Sequence, residues 1–505
     1  MPDMSMHAGK PFIAVESADV TSIDGMPGGD LAVTRRLLRV WRDKYPRNVL
    51  RSAYYDARNR FRDYGISIPP NIRSRAGNVV GWAQKSVRAL SDKSVFRGFA
   101  TPDGDPDGVS DICAANRLAT DVGEAIVSCY KHSCSFLTID LDPEEPEPTP
   151  LVVPRSADWS AGLWDPARRR MEGALTITDD DENGRITAFT VWLPGRNWEC
   201  HRVGGAWVGE LHETVLRGVG VVPFVYDAQM DRPFGRSRIN RSLMALIDMA
   251  FRTMVRMEAT AEFYSAPRLW FLGLDPDAFT AGTWKSLVSS VNAVSRDEDG
   301  LVPEMRQVTQ ASMQPHGDML ETIAMLASAE TDIPAERLGI RLSNPTSAEA
   351  LAASENELTR VADRQNVVFG DALMQAMRMA VQLRNGTTDV PALEGVSPVW
   401  APTRVVSDAA RADFYTKVAS VNQAYAGSDV ALRRLGLDEA EIAGVRSREQ
   451  EQRAQANLDA LRQSLAQGGA QQPQAAAESD AAQQPDTQPT PTPESTGDGG
   501  ATRRS

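Results

Sequence analysis

Apolar residues return at intervals of three and four along one stretch of this chain: Ile239, Leu243, Leu246, Ile247, Ala250, Met254, Met257 and Ala261. That period predicts an amphipathic helix from Ser237 to Phe263, about 40 Å long, with its apolar stripe against a partner. A membrane span of this length is excluded by charge. Asp248 and Arg252 would together cost ~5–7 kcal/mol near the bilayer centre, against about 3 kcal/mol returned by the Leu, Ile, Phe and Val side chains.

The same period predicts a helix from His316 to Asp332 and a much longer one ending near Leu383. The latter carries its stripe on Leu351, Leu358, Val361, Phe369, Leu373, Met377 and Ala380. Thr346 and Glu349 have the spacing of a capping box at its start. Between the two lies "IPAERLGIRLSNPTSAEA", broken by Pro334, Gly339 and Pro345.

Upstream, residues 1–30 lack periodicity and read as a loose arm. Basic amphipathic helices follow from Leu31, broken around Pro46 and stopped by Gly65. Another helix is expected over "AGNVVGWAQKSVRALSDKSVFRGF" and one from Ile112 to His132. From Ser135 to Val222 the period falls to two, in runs such as "RITAFTVWL", with Asn183-Gly184 and Gly204-Gly205 marking hairpins. Residues 265–313 carry strand and turn signals around a short helix near Trp284.

Beyond Trp400, Ser407 caps a helix with Phe414, Val418, Val421 and Tyr425 on one face, stopped by Gly427. A polar helix from Asp438 to about Leu465 precedes a Gln/Ala/Pro/Thr tail expected to be disordered. No internal repeat is visible. Helices and antiparallel hairpins segregated along the chain make the fold class α+β.

The 505 residues carry a formal charge of −13, which argues against non-specific grip on nucleic acid, since that needs clustered Lys and Arg. One basic helix, with Arg35, Arg36, Arg39, Arg42, Lys44, Arg47 and Arg51, admits that reading or a solvated face or subunit contact. The N-terminus lacks a secretory signal pattern, so a cytoplasmic origin is expected. Four dispersed cysteines are expected to be reduced.

Chemistry is sparse. "DGDPDG" at Asp103, Asp105, Asp107 and Gly108, and "DDDENG" at Asp179, Asp181, Asn183 and Gly184, imitate calcium loops. Their twelfth positions are Ala114 and Thr190 where a bidentate Glu is required, so solvated turns are expected. Cys129, His132, Cys134, Cys200 and His201 do not match zinc spacings. Phosphate loop, nucleophile elbow and zinc-protease helix are all missing from the sequence. No catalytic residue, metal or cofactor is expected, and the chain is not read as an enzyme.

The order of parts is more informative than any motif. Together with "YYDARNRFRDYGISIPP", "DRPFGRSRINRSLMALIDMAFRTMVRMEATAEFYSAPRLWFLG" and "AETDIPAERLGIRLSNPTSAEAL", it resembles the portal proteins of tailed double-stranded DNA bacteriophages, from about Leu31 to Leu465. The resemblance implies a portal fold divided into an arm (1–30), wing (31–236), first stem helix (237–264), clip (265–313), second stem helix (314–333) and tunnel loop (334–346). The long helix and the rest of the wing (347–400), a helical crown (401–465) and a tail (466–505) complete it.

It further implies a ring, usually of twelve copies, at the capsid vertex of the virion, assembled in the host cytoplasm. The implied partners are the terminase large subunit, a head-completion or tail adaptor protein, major capsid and scaffold proteins, and double-stranded DNA passing through without sequence-specific binding. No membrane partner is implied.

On this resemblance Asp318, Glu321 and Glu330 line the bore, on a segment with no Lys or Arg between Arg306 and Arg337. Arg337, Arg341 and Asn344 fall in the tunnel loop. The two arginines either touch passing phosphates or pair with carboxylates of a neighbouring copy. Two other readings stand beside it: a metal-dependent hydrolase using the Asp-rich loops, and a scaffold or adaptor without a pore.

Overall fold

A computed structural model describes residues 13–60, 77–101, 105, 107–264, 269–272, 304–307, 312–339, 348–388, 393–404, 408–437 and 439–468. The chain divides into two compact units, Met1–Val405 and Val406–Ser505.

The first unit opens with α1 (Gly28–Tyr55), a single helix that runs through Pro46 where a break was expected. Pro46 lies on the exposed side, while Leu37, Leu38, Trp41, Tyr45 and Val49 are buried on the other. An interior proline costs ~3 kcal/mol, and burying two aromatic and three aliphatic side chains around it offsets that amount. Trp41 stacks on Tyr45 at 4.8 Å and donates from Nε1 to the Asp158 carbonyl at 2.9 Å. Gly65 and the extended segment after it lie outside the described residues.

Residues 13–26, expected to be part of a loose arm, are instead packed down: Ile13, Ala18, Val20, Ile23 and Met26 join the α1 core. The Ile13 amide donates to the Tyr45 hydroxyl at 3.0 Å. Asp24 forms a parallel bridge with Val208. Five well-spaced apolar side chains suffice to fix a segment that has no period of its own.

Where a single helix was expected, the next part is a helix, α2 (Trp82–Ser91), followed by a strand, β1 (Phe96–Ala100). The strand exists because β12 (Ser397–Trp400) pairs with it antiparallel, Phe96 opposite Trp400. The helix expected from Ile112 to His132 is likewise two, α3 (Val109–Ala115) and α4 (Leu118–His132), separated by Arg117 at φ 51°. The break serves Asn116, whose side chain donates to the Pro150 carbonyl at 2.9 Å and accepts from the Val152 amide at 2.7 Å.

The period-two region forms two antiparallel sheets. β2 (Cys134–Leu141) lies between β3 (Pro150–Ser156) and β9 (Val221–Val225). A five-stranded meander runs in chain order through β4 (Ser160–Asp165), β5 (Arg170–Asp180), β6 (Ile186–Leu193), β7 (Arg196–Val203) and β8 (Ala206–Glu213). Gly204 and Gly205 have φ of 58° and 92°, the double positive φ of the tight hairpin turn that the sequence signalled. Asp30 ties α1 to this sheet, accepting from Arg196 at 2.7 and 2.8 Å and from Trp198 Nε1 at 2.9 Å. The Arg196 hydrogen bonds hold its carboxyl below the ordinary range against the opposing effect of burial.

α5 (Arg241–Tyr264), α6 (Gln314–Thr331) and α7 (Ala348–Asn385) complete the main core. Between α5 and α6 a short antiparallel pair, β10 (Leu269–Leu272) and β11 (Glu304–Gln307), is described. The helix expected near Trp284 lies outside the described residues, as does Thr346 of the capping box.

The second unit holds α8 (Asp408–Val421), α9 (Gln423–Ala426), α10 (Asp429–Leu435) and α11 (Glu439–Gly468). The continuous apolar face expected from Phe414 to Tyr425 is not formed. The Asn422 side chain caps a new helix by accepting from the Tyr425 amide at 3.1 Å, so Tyr425 leaves the face, and Val421 is 88% exposed. Ser407 lies outside the described residues.

Candidate channel helices and their anchor

α5 and α6 pack antiparallel, since the start of one meets the end of the other. Ile239, Leu243, Ile247 and Ala250, on α5 and the turn before it, are buried in the main core with Ile323, Ala324 and Ala327 of α6, and Phe251 and Val255 are buried further along α5. The two alanines leave room for the helices to approach closely. The sequence stripe is correct for its first half and then drifts: Met254 and Met257 are half-buried and Ala261 is exposed, while Phe251 and Val255 are buried.

Arg238 sits at the base of the pair and is itself buried. Its Nε donates to the Ser86 carbonyl at 2.7 Å, its Nη1 to the Tyr226 hydroxyl at 3.0 Å and its Nη2 to the Thr331 carbonyl at 2.5 Å. One guanidinium, just before α5, therefore joins α2, the residue that follows β9 and the last turn of α6. It satisfies a carbonyl that the end of α6 would otherwise leave open. Asp248, the residue that excluded a membrane span, is buried and accepts from the Tyr54 hydroxyl at 2.9 Å and the Asn59 amide at 3.2 Å. Nothing in the sequence pattern pointed to Arg238, because a lone arginine before a helix looks like a surface residue.

The three acids assigned to the bore do not share one face. At 3.6 residues per turn, Asp318 and Glu321 stand about 60° apart on the exposed side of α6, whereas Glu330 is about 120° away from Asp318. Glu330 accepts from the Asn240 side-chain amide at 2.6 Å and so clasps α5. The Asp318 carboxylate accepts from Gln314 of its own helix, at 2.7 Å. Asp332, half-buried at the end of α6, is held above the ordinary carboxyl range by burial, with Arg238 opposing.

After α6 the chain turns through a 3₁₀ segment, Ala335–Leu338, ending at Gly339 with φ 92°. Trp82 Nε1 donates to the Leu338 carbonyl at 3.2 Å. Arg337 forms an ion pair with Glu355 of α7, which also lies 3.9 Å from Lys93. Within the single chain its carboxylate partner is therefore its own Glu355. Arg341 and Asn344 lie outside the described residues.

The Asp-rich loops bind their own backbone. Asp105 accepts from the amides of Val109 at 3.1 Å and Ser110 at 2.7 Å, and Asp181 accepts from those of Asn183 at 2.9 Å and Arg185 at 2.8 Å. Among the described residues no group of three or more His, Cys, Asp or Glu is placed to hold a metal ion. All four cysteines are buried thiols. Among the described residues no helix is long and apolar enough to cross a membrane.

The basic face of α1 is largely matched locally. Arg36 pairs with Glu172 at 2.6 Å and Arg42 with Asp19 at 2.5 Å, and Arg35 donates to the Val20 carbonyl at 3.1 Å.

Comparison with known proteins converges on one family. Residues 36–425 match the family model described as phage portal protein, SPP1 Gp6-like. The portal protein of Mycobacterium phage D29 is 27% identical over 414 residues, covering 80% of this chain and 85% of that one. That of Mycobacterium phage L5 is 26% identical over 402 residues, covering 77% and 82%. Among solved structures, the virion of a native gene transfer agent particle aligns with a TM-score of 0.40 at 14% identity, covering 71% of this chain and 92% of that chain. The neck of an empty particle of the same kind aligns at 0.42 and 12%, with the same coverage. With a family model spanning most of its length, this chain belongs to the phage portal proteins, SPP1 Gp6-like.

Proposed function

We propose that copies of this chain, twelve by family resemblance, form a ring at the capsid vertex whose channel carries double-stranded DNA during packaging and ejection. α5 and α6 of each copy form its stem. The terminase large subunit docks on the clip end, and a head-completion or tail adaptor protein replaces it. Energy for translocation comes from the motor, because this sequence carries no phosphate loop.

The observation that carries this reading is the division of α6 into three faces. Ile323, Ala324, Ala327 and Thr331 are buried within the copy. Met319 and Leu326 form an exposed apolar flank at 40% and 52% exposure, a surface suited to the next copy's stem. Asp318 and Glu321 remain on a third face without a cation in the same helix. Directed at the lumen, they repel phosphates, and a duplex that releases no counterions to the wall does not stall. Glu330 serves the stem clasp rather than the bore.

Electron microscopy of the purified protein along its symmetry axis tests the assembly: rings with a central hole are expected, and compact monomers would overturn it. Asp318→Lys with Glu321→Lys should slow packaging in a salt-dependent manner. Packaging at the unmodified rate would remove those residues from the lumen.

A further inference from the structure

A cleft of about 840 Å³ opens between α1, β4 and the loop leading into α5. Its walls carry Lys44, Arg47, Arg51, Arg232, Arg236 and Arg241 and one carboxylate, Asp231, which lies 3.7 Å from Arg232. Arg51 donates to the Asn48 side chain and the His132 carbonyl, and Arg236 to the Gln229 side chain, all neutral acceptors. Among the described residues, Lys44, Arg47 and Arg241 form no ion pair. Such an excess of positive charge in one hollow is unusual in a chain of net charge −13.

The complementary feature lies at the far end of β2. The loop joining β2 to β3 carries Asp142, Glu144, Glu145 and Glu147, the three glutamates exposed and none of the four in an ion pair among the described residues. Cys134, at the start of β2, lines the cleft, and Leu141 at its other end leads into the loop. An eight-residue strand spans about 23 Å at 3.3 Å per residue. Because Leu141 is paired with Pro150, each arm of the loop reaches at most about 14 Å. The loop and the Cys134 end of the cleft thus lie at opposite ends of β2, and among the described residues no loop acid pairs with a cleft cation within the copy.

We infer that the acidic β2–β3 loop of one copy docks in the basic cleft of the next. This contact is head-to-tail, the kind that generates a ring when its rotation closes, and it rests on the ring assembly proposed above. It gives the unpaired cations of α1 and the unpaired acids of the loop a single purpose. A duplex is a poorer occupant, because the cations converge in a hollow instead of tracking along an open face.

Charge exchange on the full-length chain tests it, with ring fraction read by native mass spectrometry and sedimentation velocity. Arg47→Glu with Arg241→Glu reverses the cleft; Glu144→Lys, Glu145→Lys and Glu147→Lys reverse the loop. Each set alone should lower the ring fraction by about tenfold, since like charges then face each other across the contact. An equimolar mixture of the two variants should recover rings of alternating copies, as should one chain carrying all five changes. Rings at the unmodified level in either variant would overturn the docking, and so would failure of both rescues with thermal unfolding unchanged. An unmodified chain that gives no rings overturns the assembly itself. Unmodified rings that ignore the reversals overturn only this contact.

Discussion

α7 and α6 are both amphipathic, yet within a single copy α7 buries a long apolar stripe, with Val367 and Val368 left outside it, while α6 buries only a narrow one. On α7, Leu358, Ala362, Phe369, Leu373, Met377 and Ala380 are all essentially inaccessible to water. Phe369 stacks on Phe224 at 5.0 Å and meets Tyr130 at 5.8 Å. α6 buries a narrow, alanine-rich strip and leaves Met319, Met325 and Leu326 substantially exposed. The lesson is that α7 anchors a deep core with large side chains, while α6 contributes a narrow strip and leaves apolar area that stabilises only what covers it.

Truncation in the core should have the largest effect. Phe369→Ala is expected to destabilise the isolated copy by about 3–5 kcal/mol, read as a fall in the urea midpoint at unchanged slope. A loss no larger than that of a surface substitution would erase the contrast between the two helices. Arg238→Ala comes next, at roughly 2–3 kcal/mol, because it removes three hydrogen bonds and takes from the buried Thr331 carbonyl the donor it has at the end of α6. Hydrogen exchange should locate that loss at the joint of α5 with α6, and exchange accelerated uniformly over the body instead would deny the joint its separate role.

Acid should act on the two regions with opposite sign. Asp30 binds its proton less tightly folded than unfolded, so its stabilising contribution is present above the unfolded carboxyl value of about 3.9 and is lost as pH falls through the folded one. Asp332 is raised, chiefly by burial; its folded form takes up the proton first, so stability at the stem base increases as pH falls through that raised value. Asp30→Asn should therefore flatten the acid limb of the unfolding curve, and Asp332→Asn should remove a gain in stem protection on mild acidification. Identical pH profiles for both variants would refute the distinction.

The smallest change to the single copy is expected from Leu326→Ala, within about 0.5 kcal/mol. Its effect should appear only as faster dissociation of rings. Destabilisation of the isolated chain comparable to Phe369→Ala would place Leu326 in the core.

The helices α5, α6 and α7 were legible because sustained apolar periodicity survives any tertiary context. The hairpins were legible because Asn183-Gly184 and Gly204-Gly205 impose their turns locally. β1 was not, since its strand identity depends on β12 some 300 residues away. Residues 13–26 were not, because an aperiodic segment is ordered by the surface it meets. Of the candidate site, the lack of cations on α6 was visible, but the reach of Glu330 to Asn240, the self-supplied partner of Arg337 and the junction built on Arg238 were not.

By itself the sequence determined the long helices α5, α6 and α7, the lack of Lys and Arg on α6 and the family to which the order of parts belongs, all properties of local pattern and composition. Only the tertiary structure decided which charges are matched. It buried Asp248 and Arg238 among partners, drew Glu330 away from Asp318, and gathered Lys44, Arg47 and Arg241 around one cleft. The physical reason is that a charge is defined energetically by its distance to other charges and to water, and neither distance is written along the chain.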